Sequence, residues 1–270
     1  MSTSAQLRPD EGEALHALIR RLLERGWPPL LRAALFGSKA RGDFDESSDV
    51  DVLLVCDVEP ADRTAAGAIA ATVATGVAAE TGVRVEPWTV CARDLEEGRR
   101  TPMLVDALTD AVPIWPAGAP PLHVPFTPAD AVFCAGRLLE WVSAGGGEAR
   151  LALQEGRLPD AALRARDDIA RLATAALLLT GDTRHRRLGS LARFERVFVQ
   201  GGLVSPVVRP ALAWASAAYP SDGGRGQEIP PVTPAAIQTA ALGCELAALF
   251  ERELVEPMLA RIGEMLDAMA

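Results

Sequence analysis

A glycine–serine pair between two short apolar runs constrains this chain more than any other feature. Leu31 to Phe36 reads as a strand, and it runs directly into Gly37-Ser38-Lys39-Ala40-Arg41-Gly42. After a short polar segment come Ser48-Asp49-Val50-Asp51 and the apolar run Val52 to Cys56, which reads as a second strand. A strand ending in Gly-Ser leaves backbone N–H groups and a small hydroxyl at a turn, where phosphate oxygens can approach unobstructed. Asp49 and Asp51 are two residues apart, so strand alternation turns both carboxylates to one face. Adjacent carboxylates repel, and a cation joining them relieves the repulsion. Oxygen donors of this kind suit Mg²⁺ or Mn²⁺. A polar hairpin loop with solvated acids is the plainer alternative, and the flanking strands weigh against it.

The set Gly37-Ser38, Arg41-Gly42 and Ser48-Asp49-Val50-Asp51 resembles the signature of the polymerase-beta-like minimal nucleotidyltransferases, over about residues 30 to 90. The resemblance implies an α+β fold with a small mixed sheet, a nucleoside triphosphate such as ATP as co-substrate, and two divalent ions held by three carboxylates. Asp49 and Asp51 match the first two carboxylates. Glu86, in Val83-Arg84-Val85-Glu86-Pro87-Trp88, stands where the family carries its third. Catalysis and metal binding are therefore expected of Asp49, Asp51 and Glu86. Nucleotide binding is expected of Gly37, Ser38, Lys39, Arg41 and Ser48. Pro87 removes a ladder donor and suits an edge strand.

Several of these residues read two ways. Lys39 is the only lysine in the chain. It either faces the triphosphate or, as turn lysines usually are, is solvated. Arg41 either meets a phosphate, whose geometry its guanidinium matches, or pairs with Asp45 or Glu46. Asp43 and Asp45 belong to a polar loop, where they are either solvated or further metal candidates.

The rest of the N-terminal part supports a strand–helix–strand unit. Residues 10 to 25 carry Leu15, Leu18, Ile19, Leu22 and Leu23 at helical spacing, with Gly26 and Pro28 as stops. Pro60 to Thr81 reads as a crossover helix ended by Gly82, and Val83 to Val90 as the third strand. A helix around Met103 to Thr109 and the run Val112 to Trp115 follow. The expected arrangement is a mixed sheet with its helices on one side.

Ala117-Gly118-Ala119-Pro120-Pro121 reads as a linker. It divides a nucleotidyltransferase domain, 1–118, from an all-α bundle, 119–270. Thr127-Pro128 is an N-cap and first-turn pair, and Gly145-Gly146-Gly147 is expected to end the helix it opens. Further helices are expected from Pro159 to Gly181, Leu188 to Val199, Val207 to Tyr219 and Thr233 to Met269, with a loop at 221–226. The run Ala170 to Gly181, followed by Arg184-His185, Leu191, Phe194 and Phe198-Val199, is similar to the HEPN helical domain. Ribonuclease members of that family carry Arg, then four to six residues, then His. His16, His123 and His185 lack that spacing, so the resemblance implies an acceptor-side wall or a homodimer surface instead. Asp167 and Asp168 are either acceptor-side carboxylates or a surface pair.

The net charge of −9 argues against a nucleic acid held by electrostatics. The basic run Arg184 to Arg187 keeps a tRNA acceptor open. No apolar run reaches the length of a membrane span, and no leader pattern is evident, so a cytoplasmic location is expected. Cys56, Cys91, Cys134 and Cys244 are far apart and read as small core residues. The chemistry expected is transfer of a nucleoside monophosphate, AMP from ATP, to an acceptor hydroxyl on a small molecule, aminoglycoside-type compounds included. A protein or tRNA acceptor and a non-catalytic nucleotide-binding module are the alternatives.

Overall fold

The computed structural model describes residues 7–45, 48–122, 124–183, 189–217 and 234–269. The chain divides into two compact units, Met1–Pro125 and Phe126–Ala270. The fold is α+β, with a small mixed sheet first and helices after it.

The N-terminal unit runs α1 (Pro9–Arg25), β1 (Leu30–Leu35), α2 (Gly37–Arg41), β2 (Val50–Cys56), α3 (Arg63–Thr81), β3 (Val85–Cys91), α4 (Pro102–Asp110) and β4 (Val112–Trp115). Strand order is β3-β2-β1-β4. β1 pairs antiparallel with β2 and β4, and β2 pairs parallel with β3. The parallel pair follows from the length of the crossover, because only a connection long enough to hold a helix can return a strand in the same direction. Gly82 ends α3 at φ 72°, a left-handed backbone that glycine adopts without strain. Pro87 sits in β3, which is an edge strand, so its missing N–H leaves no ladder bond unmade.

Alternation along β2 splits the core in two. Val50, Val52, Leu54 and Cys56 pack with Leu15, Leu18, Ile19 and Leu22 of α1 and with Ala70, Ala74 and Val77 of α3. Leu53 and Val55 face the opposite way, with Ala34, Val90, Leu104 of α4 and Leu122. The expectation that helices cover one side only is thereby corrected. α4 covers the second face, and Asp51 shares the parity of Leu53 and Val55.

The C-terminal unit contains α5 (Pro128–Gln154), α6 (Leu158–Leu178), α7 (Gly189–Phe194), α8 (Arg209–Ala217) and α9 (Pro234–Met269). α7 runs on into a π-helical turn, Glu195–Val199. Thr127 caps α5 with a reciprocal box: its hydroxyl oxygen accepts from the Asp130 N–H at 3.3 Å, and Asp130 Oδ2 accepts from the Thr127 N–H at 3.1 Å.

The triple glycine does not end α5, contrary to expectation; the helix continues to Gln154. Each glycine costs a helix interior about 1 kcal/mol. Tertiary packing overrides that, because Ala149 and Ala152 beyond the glycines are buried with Ala161 and Ala165 of α6 and Cys244 of α9. Gly243 lets α9 approach the Trp214 ring of α8, where a methyl group would overlap it. Cys56, Cys91, Cys134 and Cys244 are buried free thiols. Among the described residues no helix is long and apolar enough to cross a membrane. His123, the Arg184 to Arg187 run and the loop at 221–226 lie outside the described residues.

The glycine run yields a stability test. Gly147 is helical, and a Cβ there meets open space. Gly147→Ala is expected to stabilise the protein by about 0.5–1 kcal/mol, read as a higher midpoint in urea unfolding.

Candidate active site

The site is built where β1 ends. Phe36 keeps an extended backbone (φ −140°, ψ −173°), and Gly37 then turns to φ 74° to start α2. The expected glycine turn is thus one short turn of helix, closed by Gly42 at φ 81°, whose N–H donates to the Ser38 carbonyl at 2.8 Å. Two requirements meet at Gly37. Its φ is left-handed, and a side chain there would overlap Asp51 Oδ2 and press on Asp51 Cγ at 3.1 Å. The Phe36 N–H donates to the Asp51 carbonyl at 3.1 Å, fixing the end of β1 to the same residue. The Phe36 ring lies 6.0 Å from that of Trp88 on β3.

The parallel register places Asp51 opposite Glu86 and Val50 opposite Val85. In-register residues on parallel neighbours share a face and lie about 4.8 Å apart. Asp51 and Glu86 are therefore adjacent carboxylates, Asp51 half-buried and Glu86 exposed. One step back, the Val50 N–H donates to the Arg84 carbonyl at 3.1 Å and continues the ladder. Asp49 falls opposite Arg84 in that register, and the two side chains form an ion pair. Three acids and one guanidinium thus line the start of β2 and β3, on the face toward α4.

The other expected residues are committed to partners within the unit. Lys39 is not a solvated turn lysine. It is buried, and its Nζ donates to Glu11 Oε1 at 2.8 Å, with both side chains about 1% exposed. The ammonium also sits 3.9 Å over the Phe44 ring. Arg8 completes the arrangement, reaching Glu11 Oε1 at 3.0 Å while its backbone N–H donates to Oε2 at 2.9 Å. α1 is tied to α2 by this buried pair. Arg41 pairs with Asp110 of α4 and with Asp43 at 3.2 Å, not with Asp45; Glu46 lies outside the described residues. Burial opposes its charge, but Asp110 and Asp43 more than offset this and hold its pKa above the ordinary range. The Ser48 hydroxyl accepts from the Asp45 N–H at 3.0 Å and donates to Asp45 Oδ1 at 3.1 Å, shaping the loop before Asp49.

The donor set suits a hard divalent cation in its chemistry: carboxylate oxygens on one face of the sheet. Among the described residues, however, no three His, Cys, Asp or Glu side chains are gathered closely enough to hold a metal ion. Asp49 is engaged by Arg84 instead.

In the helical unit, Asp167 and Asp168 are not a surface pair. They are 9% and 3% exposed, and they bond to Arg166 and Arg171 at 3.0 and 3.1 Å. Both line a cleft of about 570 Å³ between α5 and α6, with Trp141, Leu163 and Arg164. Burial pushes the Asp168 carboxyl up to about 7, against the attraction of Arg171.

Residues 17–81 match the nucleotidyltransferase domain family. The match runs from the middle of α1 to the end of α3 and includes Gly37, Asp49 and Asp51. It supports nucleotidyl transfer as the general activity, with a nucleoside triphosphate as substrate. No curated protein matches the chain.

Two outcomes test these side chains. Lys39→Met leaves Glu11 buried with its cationic support reduced, and a loss on the order of 3 kcal/mol is expected in chemical denaturation. Replacing Lys39 and Glu11 together by Met and Leu should recover most of it. Asp168 has a folded pKa above its unfolded one. Its contribution is therefore present at low pH and is lost as pH rises from about 4 through about 7. Asp168→Asn should match the parent protein near pH 4 and exceed its stability above pH 7 by a few kcal/mol, at roughly 1.4 kcal/mol for each tenfold difference in proton affinity between the folded and unfolded chain. Thermal melts across that range would show the difference.

Proposed function

We propose that the protein transfers a nucleoside monophosphate, AMP from ATP, to a hydroxyl group of a small-molecule acceptor. One observation carries the reading. Gly37 closes against Asp51, and Asp51 faces Glu86 in register, so a glycine turn and two carboxylates share one strand end. The match of residues 17–81 to the nucleotidyltransferase domain family supports the same chemistry.

The chain's residues divide the work as follows. The Gly37–Ser38 backbone and the Ser38 hydroxyl receive phosphate oxygens. Lys39 does not reach outward; it props α2 from beneath through Glu11. The acceptor oxygen attacks the α-phosphorus, the bond from that phosphorus to the bridging oxygen breaks, and pyrophosphate leaves. Glu86, the exposed acid of the set, takes the acceptor proton. Asp49, Asp51 and Glu86 would hold Mg²⁺ or Mn²⁺, which when bound supplies neutralising charge at the phosphates. The helical unit is read as HEPN-like, offering an acceptor-side wall or a surface for a second copy. Small hydroxylated acceptors, aminoglycoside-type compounds among them, fit a chain of net charge −9 better than tRNA does.

Incubation with ATP labelled on the α-phosphate and Mg²⁺, against pools of small molecules, proteins and RNA, tests the reading. Label is expected on a small molecule, and Asp51→Asn should lower transfer at least a hundredfold. Unimpaired transfer by that variant, or no labelled acceptor with any of the four nucleotides, would overturn the proposal.

A further inference from the structure

The register that sets Asp51 against Glu86 also sets Asp49 against Arg84. The two partners of this ion pair are unequally placed. The Asp49 side chain is 12% exposed, whereas that of Arg84 is 58% exposed. A carboxylate so enclosed has few ways to turn, while a guanidinium on a long, mostly solvated stem leaves at little cost. Ion pairs with a partner this exposed are weak. A divalent cation at the same oxygens carries twice the charge and would displace the arginine.

We propose that Arg84 is a built-in counter-cation. It neutralises Asp49 while the site is empty and yields that carboxylate when a divalent ion arrives with the nucleotide. Its fork then turns to the phosphates that accompany the ion. This deepens the functional reading above and rests on it, since it takes Asp49 and Asp51 as ion-binding groups.

Three features support the exchange. Asp51 and Glu86 stand opposite each other, with Asp49 on the same face, and like charges opposite each other destabilise a sheet; Arg84 offsets that repulsion. Arg84 and Glu86 alternate on β3 as Asp49 and Asp51 do on β2, so the guanidinium stays at the mouth after release. A guanidinium also matches two phosphate oxygens at once, which a lysine ammonium does not.

The test is a Mn²⁺ titration of the full chain, without nucleotide, followed by the electron paramagnetic resonance of free Mn²⁺. Arg84→Gln removes the competitor, and it should tighten Mn²⁺ binding about three- to fivefold, the scale set by an exposed ion pair. The same variant should weaken binding of a non-hydrolysable ATP analogue in the presence of Mn²⁺ by about tenfold. Arg84→Lys should restore the weak Mn²⁺ affinity but not the analogue affinity, a split that loss of fold would not produce. If Asp51→Asn abolishes Mn²⁺ binding while Arg84→Gln leaves it unchanged or weaker, the exchange is wrong and the ion-binding reading stands. If the parent, Asp51→Asn and Arg84→Gln all bind Mn²⁺ alike or not at all, the ion-binding reading falls, and this inference with it.

Discussion

Slide β3 by one residue along β2, and Glu86 leaves the face that Asp51 occupies. The rest of the N-terminal unit works to prevent that slip. Val85 is buried with Val50 beneath α1 and α3, so the odd-numbered residue cannot turn outward without exposing the core. The Val50 N–H bond to the Arg84 carbonyl extends the ladder past the strand start. On the other side, the Phe36 N–H bond to the Asp51 carbonyl holds β1 at the same level. Gly37 can then close on Asp51 because no side chain intervenes. A single pairing thus decides which acids meet, and the helices above it keep that pairing fixed.

Two electrostatic arrangements surround this strand end, and they differ in burial. Beneath α2, Lys39 and Glu11 are sealed from water, where separating the charges would strand both. At the mouth, Arg84 holds Asp49 from a solvated position, where the same kind of pair is labile. The inner pair fixes the turn in place. The outer one leaves the carboxylates open to exchange. Arg41, tied to Asp110 and Asp43, links the turn to α4 and closes the side between these two levels.

Much of this was legible in the residues themselves. Glycine at a strand end, acids two apart and a crossover of helical length dictate the local geometry, and Pro87 pointed to an edge strand. What could not be read was long-range. Nothing near Lys39 marks Glu11, 28 positions away, as its partner, and a turn lysine is ordinarily solvated. Arg84 did carry a signal, since it precedes Glu86 by the same two residues that separate Asp49 from Asp51. The glycine run in α5 misled because helix propensity is a local preference, while the alanines beyond it are held by α6 and α9. The second helical cover of the sheet was missed because the apolar residues around 103–109 mark a helix but not the face of the sheet it packs on.

The burial of Lys39 also shapes how the protein meets chemical reagents. The chain carries a single ε-amine, and the fold withdraws it from solvent. Acylating agents and lysine-specific proteases would find no side-chain amine on the folded surface. Any such modification at this position would therefore record the moments when α1 lifts from α2, making one atom a native reporter of opening beside the nucleotide turn.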